Sequence, residues 1–223
     1  MFATRSETEY FEPVYPGDRI TATSILRELT RKTLVVGDGA FFVVETTYTK
    51  QSGEAAGVEL MTFFRYSAPG PDDRPRARRE STRSDPRDGR AAPQASFVLP
   101  LTIQRLVMEA AVNRDFAPIH FDCDFARATG APGPYANTML LQAMFEAIIR
   151  NWMGPGGRLR TLAFDMRSFA TAGTTLTAHL EAPTDHSEGQ RDLVTVGVSI
   201  GAAEKPAAIG TATVLTGGER ERP

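Results

Sequence analysis

The chain carries no strong charge of either sign: 25 Lys and Arg stand against 27 Asp and Glu in 223 residues, a formal net charge of −2. That removes the basic footprint that nucleic-acid binding requires. A single cysteine, Cys123, excludes an internal disulfide, and the three histidines, His120, His179 and His186, keep no spacing that suggests a metal site. No apolar run is long enough for a membrane span. The longest, 137–153, falls short of the roughly 20 residues a bilayer needs and encloses Glu146 and Arg150. The first residues hold no apolar run of a secretory leader, so the cytoplasm is the expected location. With 41% of residues hydrophobic, the chain can bury a core in one large or two small domains.

Large apolar side chains are nearly missing from residues 70–93, where seven arginines mix with five acids and several prolines. This composition predicts a mobile linker over 69–95, between a first unit at 1–68 and a second at 96–217, with a tail at 218–223. The arginines could instead attract a phosphorylated ligand such as coenzyme A; a solvated tether is the simpler reading.

Alternating apolar and polar residues predict strands at 159–169, 174–182, 193–200 and 207–215, as in Val194, Val196, Val198 and Ile200. Before the linker, strands are expected around Ile25, at 41–49 and at 58–66. Residues 137–153, NTMLLQAMFEAIIRNWM, read as a helix that is apolar on nearly every side, its polar stripe being Gln142, Glu146 and Arg150. Such a helix is expected to be buried almost all round, inside an antiparallel sheet that curls about it. The two halves echo each other: 11–22 and 169–178 both lead from a Phe through a Gly into a Thr-rich strand. Nothing in 1–66 matches the helix, so an apolar face near Val43, Met61 and Phe63 is expected to lie open.

The most informative stretch is Arg114-Asp115-Phe116-Ala117-Pro118-Ile119-His120-Phe121-Asp122. Pro118 pushes Ala117 toward an extended conformation, so the chain must turn between Asp115 and His120 and both side chains can face one spot. A carboxylate and an imidazole so placed can hold a water between a base and a second proton-handling group. The plainer alternative is a helix-ending Asp and a His that satisfies loop backbone. Asp122 either orients its neighbours or caps the next turn. Asn137 is either a helix N-cap or a ligand contact.

The Asp115-Phe116-Ala117-Pro118-Ile119-His120 segment, followed by one apolar helix inside a curled sheet, resembles the catalytic segment of the MaoC-like (R)-specific enoyl-CoA hydratases and 3-hydroxyacyl dehydratases. Their pattern is Gly-Asp-x-Asn-Pro-x-His, with His-Gly at the start of the central helix. Here Arg114 stands for the Gly, Ala117 for the Asn and Asn137-Thr138 for His-Gly. The resemblance implies an α+β hot-dog fold, here a degenerate double hot dog in which only the second unit has its central helix. It also implies catalysis by Asp115 and His120. The backbone at Thr138, with Asn137, would serve as oxyanion site at a helix N-terminus. The implied reaction hydrates 2-enoyl thioesters or dehydrates 3-hydroxyacyl thioesters of coenzyme A or a carrier protein, with a bulky acyl group and neither metal nor redox cofactor. A homodimer, or a hetero-oligomer with another hot-dog chain, is the expected assembly. The alternatives are a non-catalytic subunit shaping a partner's pocket and a hot-dog thioesterase.

Overall fold

The computed structural model describes residues 1–34, 37–67, 95–183, 185–186, 193–202 and 205–216. The linker assigned to 69–95 lies outside them except for Ala95, which opens a strand, and the tail at 218–223 lies outside them as well. In chain order the elements are β1 (Phe2–Tyr10), β2 (Ile20–Leu34), β3 (Gly37–Lys50), β4 (Ala55–Tyr66), β5 (Ala95–Pro100) and α1 (Ile103–Asn113). A 3₁₀ turn (Pro118–His120), α2 (Cys123–Ala128) and α3 (Thr138–Met153) follow, then β6 (Arg158–Met166), β7 (Thr175–Leu180), β8 (Asp185–His186), β9 (Leu193–Ala202) and β10 (Lys205–Leu215).

All strands join one sheet of order β2-β3-β4-β1-β6-β10-β9-β7-β5, with β8 pairing β9 to the side. The order is nearly symmetric about the antiparallel β1/β6 pair, in which Glu7 faces Ala163, with β5 as an additional outer strand on the second side. β1 and β6 lie at the centre, the strands that follow each of them, β2 and β7, lie far out, and the chain then works back inward through β3 and β4 or through β9 and β10. Gly17 and Gly173, the glycines of the two echoing segments, both take positive φ (98° and 89°) in the turns that lead to β2 and β7. A Cβ would oppose that conformation at either position.

The core follows the alternation. Val194, Val196, Val198 and Ile200 of β9 are buried, as are Leu176, Ala178 and Leu180 of β7. On β6 the buried set jumps from Leu159 to Leu162, because a bulge opposite Thr213 and Val214 inserts one residue and flips the phase. These side chains meet Leu141, Met144, Phe145, Ile148 and Ile149 of α3. At about 25 cal/mol per Å² of apolar surface, a buried Phe or Ile here contributes ~1.5–3 kcal/mol.

Two expectations need correction. Helix α3 is not buried all round: Met139, Ala143, Ala147 and Arg150 lie exposed along one side. No helix forms among the described residues before 68, so nothing of that kind covers this side. The open apolar surface of the first half is also not at Met61, which is buried; it lies on β2, where Ile20, Ile25, Leu26 and Leu29 are exposed at the sheet edge. Met61 faces Ser6 of β1, and that central seam shields it. Helices α1 and α2 and strands β1 and β5 add to the elements expected from the sequence.

Candidate active site

Helix α1 delivers the chain to the site. Thr102 caps its N-terminus by accepting from Arg105 N–H, and its C-terminus ends on Arg114 in the left-handed region (φ 55°, ψ 29°). Asp115 N–H then closes back on the Ala110 carbonyl at 2.9 Å. This is the helix-ending position where glycine is favoured, so the arginine holds it at a conformational cost of ~1 kcal/mol. Ala117 is extended (φ −63°, ψ 123°), as Pro118 demands, and Pro118 opens the 3₁₀ turn that carries His120.

The turn brings Asp115 and His120 together, with His120 Nε2 3.1 Å from Asp115 Oδ2. The Asp115 side chain is 40% exposed and that of His120 only 6%, so the carboxylate faces open space while the imidazole backs it from within. His120 Nδ1 lies 2.7 Å from the Tyr135 carbonyl, which can only accept, so Nδ1 carries a hydrogen and Nε2 is the nitrogen turned to Asp115. The Tyr135 ring packs edge-on against His120 and contacts Phe169, fixing the imidazole plane. Burial pushes the Tyr135 hydroxyl up to about 12, so it remains a neutral donor.

Asn137 Oδ1 accepts from Leu140 N–H at 3.0 Å, which makes this residue the N-cap of α3, and its Nδ2 donates to Asp115 Oδ2 at 3.4 Å. Thr138 follows as the first residue of α3. The amides of Thr138 and Met139 precede the capped one and have no acceptor within the helix, so the positive end of α3 points from beside Asp115. Asp122 caps α2 by accepting from Asp124 and Phe125 N–H, both at 2.9 Å; it has no place at the pair.

Two neighbours carry no signal in the Asp-x-x-Pro-x-His motif. Glu109 of α1 accepts from Asn113 Nδ2, and its carboxyl is pushed up by burial, with Asn137 and His120 opposing and Asp115 adding. The helical spacing from Thr102 could have placed it there. Tyr66 of β4 donates to the Thr129 carbonyl at 3.0 Å and stacks on Phe64, so the first half of the chain reaches the loop beside the site. Only the three-dimensional pairing of β1 with β6 brings it there.

Comparison with known proteins gives a consistent picture. Residues 1–57 match the family model for the FAS1-like dehydratase domain region. That match falls on the half of the chain without Asp115 and His120. No curated protein sequence matches the chain. Among solved structures, a MaoC-like dehydratase superposes with a TM-score of 0.76 at 18% identity over 96% of this chain and 75% of its own. HtdX from Mycobacterium tuberculosis does so with a TM-score of 0.66 at 18% identity, over 96% and 76%. The (R)-hydratase from A. caviae involved in PHA biosynthesis is covered over 97% of its length by 57% of this chain, with a TM-score of 0.50 at 24% identity. The fold is the hot dog that these solved structures share, and the match over 1–57 is to a dehydratase-domain model.

Proposed function

We propose that this chain reversibly hydrates 2-enoyl thioesters, or dehydrates 3-hydroxyacyl thioesters, carried by coenzyme A or an acyl carrier protein. The observation that carries this reading is the Asp115 Oδ2 to His120 Nε2 approach of 3.1 Å beside the free amides of α3. In the reacting form the pair shares one proton across the contact between Nε2 and Oδ2; a water hydrogen-bonded to both groups loses a proton to the pair as its oxygen attacks the β-carbon, and the pair passes one proton to the α-carbon, so it ends as it began. Enolate charge on the thioester oxygen meets the N–H of Thr138 or Met139. All of this is proton transfer and charge stabilisation, so neither a metal nor a redox cofactor has a step to perform.

The nearly symmetric strand order and the fit of 97% of a one-unit hydratase to 57% of this chain support a degenerate double hot dog, units 1–68 and 96–217, with a helix in the second alone. Asp115 and His120 do the chemistry and the first unit forms a pocket wall, leaving room for a bulky acyl group beside the uncovered side of α3. The exposed β2 edge supports homodimerisation or pairing with another hot-dog chain; a monomer in light scattering at micromolar concentration would overturn this. The function is tested with purified protein and enoyl-CoA esters of increasing bulk, following loss of the conjugated double bond. Asp115→Asn and His120→Ala should each lower the rate ~10²-fold or more with the fold intact. Near-normal turnover in either variant sinks the mechanism.

A further inference from the structure

Between the first four strands and the uncovered side of α3 lies a cavity of about 720 Å³, within the range of small-molecule sites. Its two long walls run in the same direction away from Asp115. α3 starts at its cap Asn137, which touches Asp115, and presents Met139 first, then Gln142 and Glu146, then Arg150. β1 starts at Phe2, whose ring packs on Tyr66, and Tyr66 reaches Thr129 beside the site. From there β1 runs outward and presents Thr8 and then Tyr10, with Glu59 and Gly57 of β4 opposite them.

Part of the way along, the walls are tied together. Tyr10 Oη, from β1, donates to Glu146 Oε1 at 2.6 Å and accepts from Gln142 Nε2 at 3.2 Å, both on α3. Gln142 Nε2 also donates to Glu146 Oε1 at 3.3 Å, and Arg150 Nη2 donates to Glu146 Oε2 at 3.1 Å. Donors and acceptors are spent on one another, so the tie favours neither a donor nor an acceptor at the end of a ligand. What it does is span the space. Helical rise places Gln142 about 7 Å and Glu146 about 13 Å along α3 from Asn137, a distance that roughly six to ten carbons of an extended chain fill. Hydrocarbon that stops short of the tie leaves water for the walls. Hydrocarbon that goes further must break hydrogen bonds to a charged group and strip water from the half-exposed Glu146 and Arg150 ion pair.

We infer that the tie of Tyr10 with Gln142 and Glu146 ends the acyl site and sets an upper limit on acyl length, at about ten carbons. Bulk is then accommodated across the cavity rather than along it. This rests on the hydratase reading for the end that reacts at Asp115, although the length limit can be measured without it.

The test uses the whole chain and two kinds of probe. Calorimetry compares hexanoate, decanoate and tetradecanoate as free acids, and hydration assays compare hexenoyl-, decenoyl- and tetradecenoyl-CoA. Each methylene buried before the tie should tighten binding about two- to fourfold, so decanoate should exceed hexanoate by at least about tenfold. Tetradecanoate should gain less than about threefold over decanoate, because its added methylenes find no apolar wall. The same break is expected in kcat/KM. Tyr10→Ala deletes the ring that spans the space and should let tetradecanoate exceed decanoate by about tenfold or more. Should that variant fail to fold, Gln142→Ala combined with Glu146→Ala removes the other half of the tie at positions where alanine suits the helix, and should move the break in the same way. Affinity that climbs steadily through tetradecanoate in the wild type, no binding of any acid, or a folded variant whose break stays at decanoate overturns the inference. A break that moves when the tie is removed, with no turnover of any thioester, keeps the inference and refutes the hydratase reading. Turnover that climbs through tetradecenoyl-CoA does the reverse.

Discussion

Asn137 sits at two junctions at once, and substitution can separate them. Its Oδ1 caps α3 and its Nδ2 donates to Asp115 at 3.4 Å. Aspartate keeps the cap, since Asn and Asp rank together at that position and the helix dipole favours a negative charge there. It also replaces the donor with a second carboxylate. Loss of a hydrogen bond to a charged group removes ~1.5–3 kcal/mol, and like-charge repulsion adds to it. Because the Asp115 side chain is 40% exposed, solvent screening trims the second contribution. Asn137→Asp should therefore lower kcat/KM for enoyl-CoA hydration at least tenfold; the cap is kept, but the new carboxylate is buried beside Asp115 and Glu109, so Tm should fall at neutral pH and recover on acidification. Asn137→Ala should lose both, with ~1 kcal/mol of capping energy gone and Tm down by about 2–4 °C. The assays are loss of enoyl absorbance and thermal unfolding. Wild-type turnover in Asn137→Asp would show that the contact with Asp115 positions nothing, and an unchanged Tm in Asn137→Ala would refute the cap.

Arg114→Gly relieves the left-handed residue at the end of α1 (φ 55°) and should raise Tm by about 2–4 °C in thermal unfolding; a fall would mean that the Arg114 side chain compensates. Glu109 is held above its ordinary value, so the folded state binds its proton more tightly than the unfolded chain. Stability from that proton is present near pH 4.5 and is lost as pH rises through the raised value. Glu109→Gln should thus gain Tm over wild type at neutral pH and lose that advantage on acidification, whereas a pH-independent difference would count against burial as the cause.

The parts of the fold that could be read from sequence are those where one face decides the pattern. β9 alternates Val and Ile without interruption and is buried at those positions, and α3 carries its core face at 141, 144, 145, 148 and 149. α1 was illegible because Val107, Met108 and Val112 are exposed while only Leu106 and Ala110 are buried, which blurs the helical stripe. β1 hides for another reason: it lies at the centre of the sheet, yet it is rich in Thr, Ser and Glu, and Arg5 and Glu7 meet as a salt bridge. Its place comes from pairing with β4 and β6, which no local pattern records. At the site, Asp115 and His120 were legible because Pro118 fixes the turn between them. Glu109, Tyr135 and Tyr66 arrive from other elements and leave no mark in the motif.

The β1/β6 seam has a consequence for how the molecule holds together. Two sheets that meet edge to edge on separate chains dissociate on dilution, because their pairing is bimolecular. Here Arg5 to Glu9 of β1 and Thr161 to Asp165 of β6 belong to one polypeptide, so the strands find each other at an effective concentration set by the intervening chain. The wall that β1 and β4 lend to the cavity therefore stays in place however dilute the protein becomes, and the first half can lose elements it would need to stand alone.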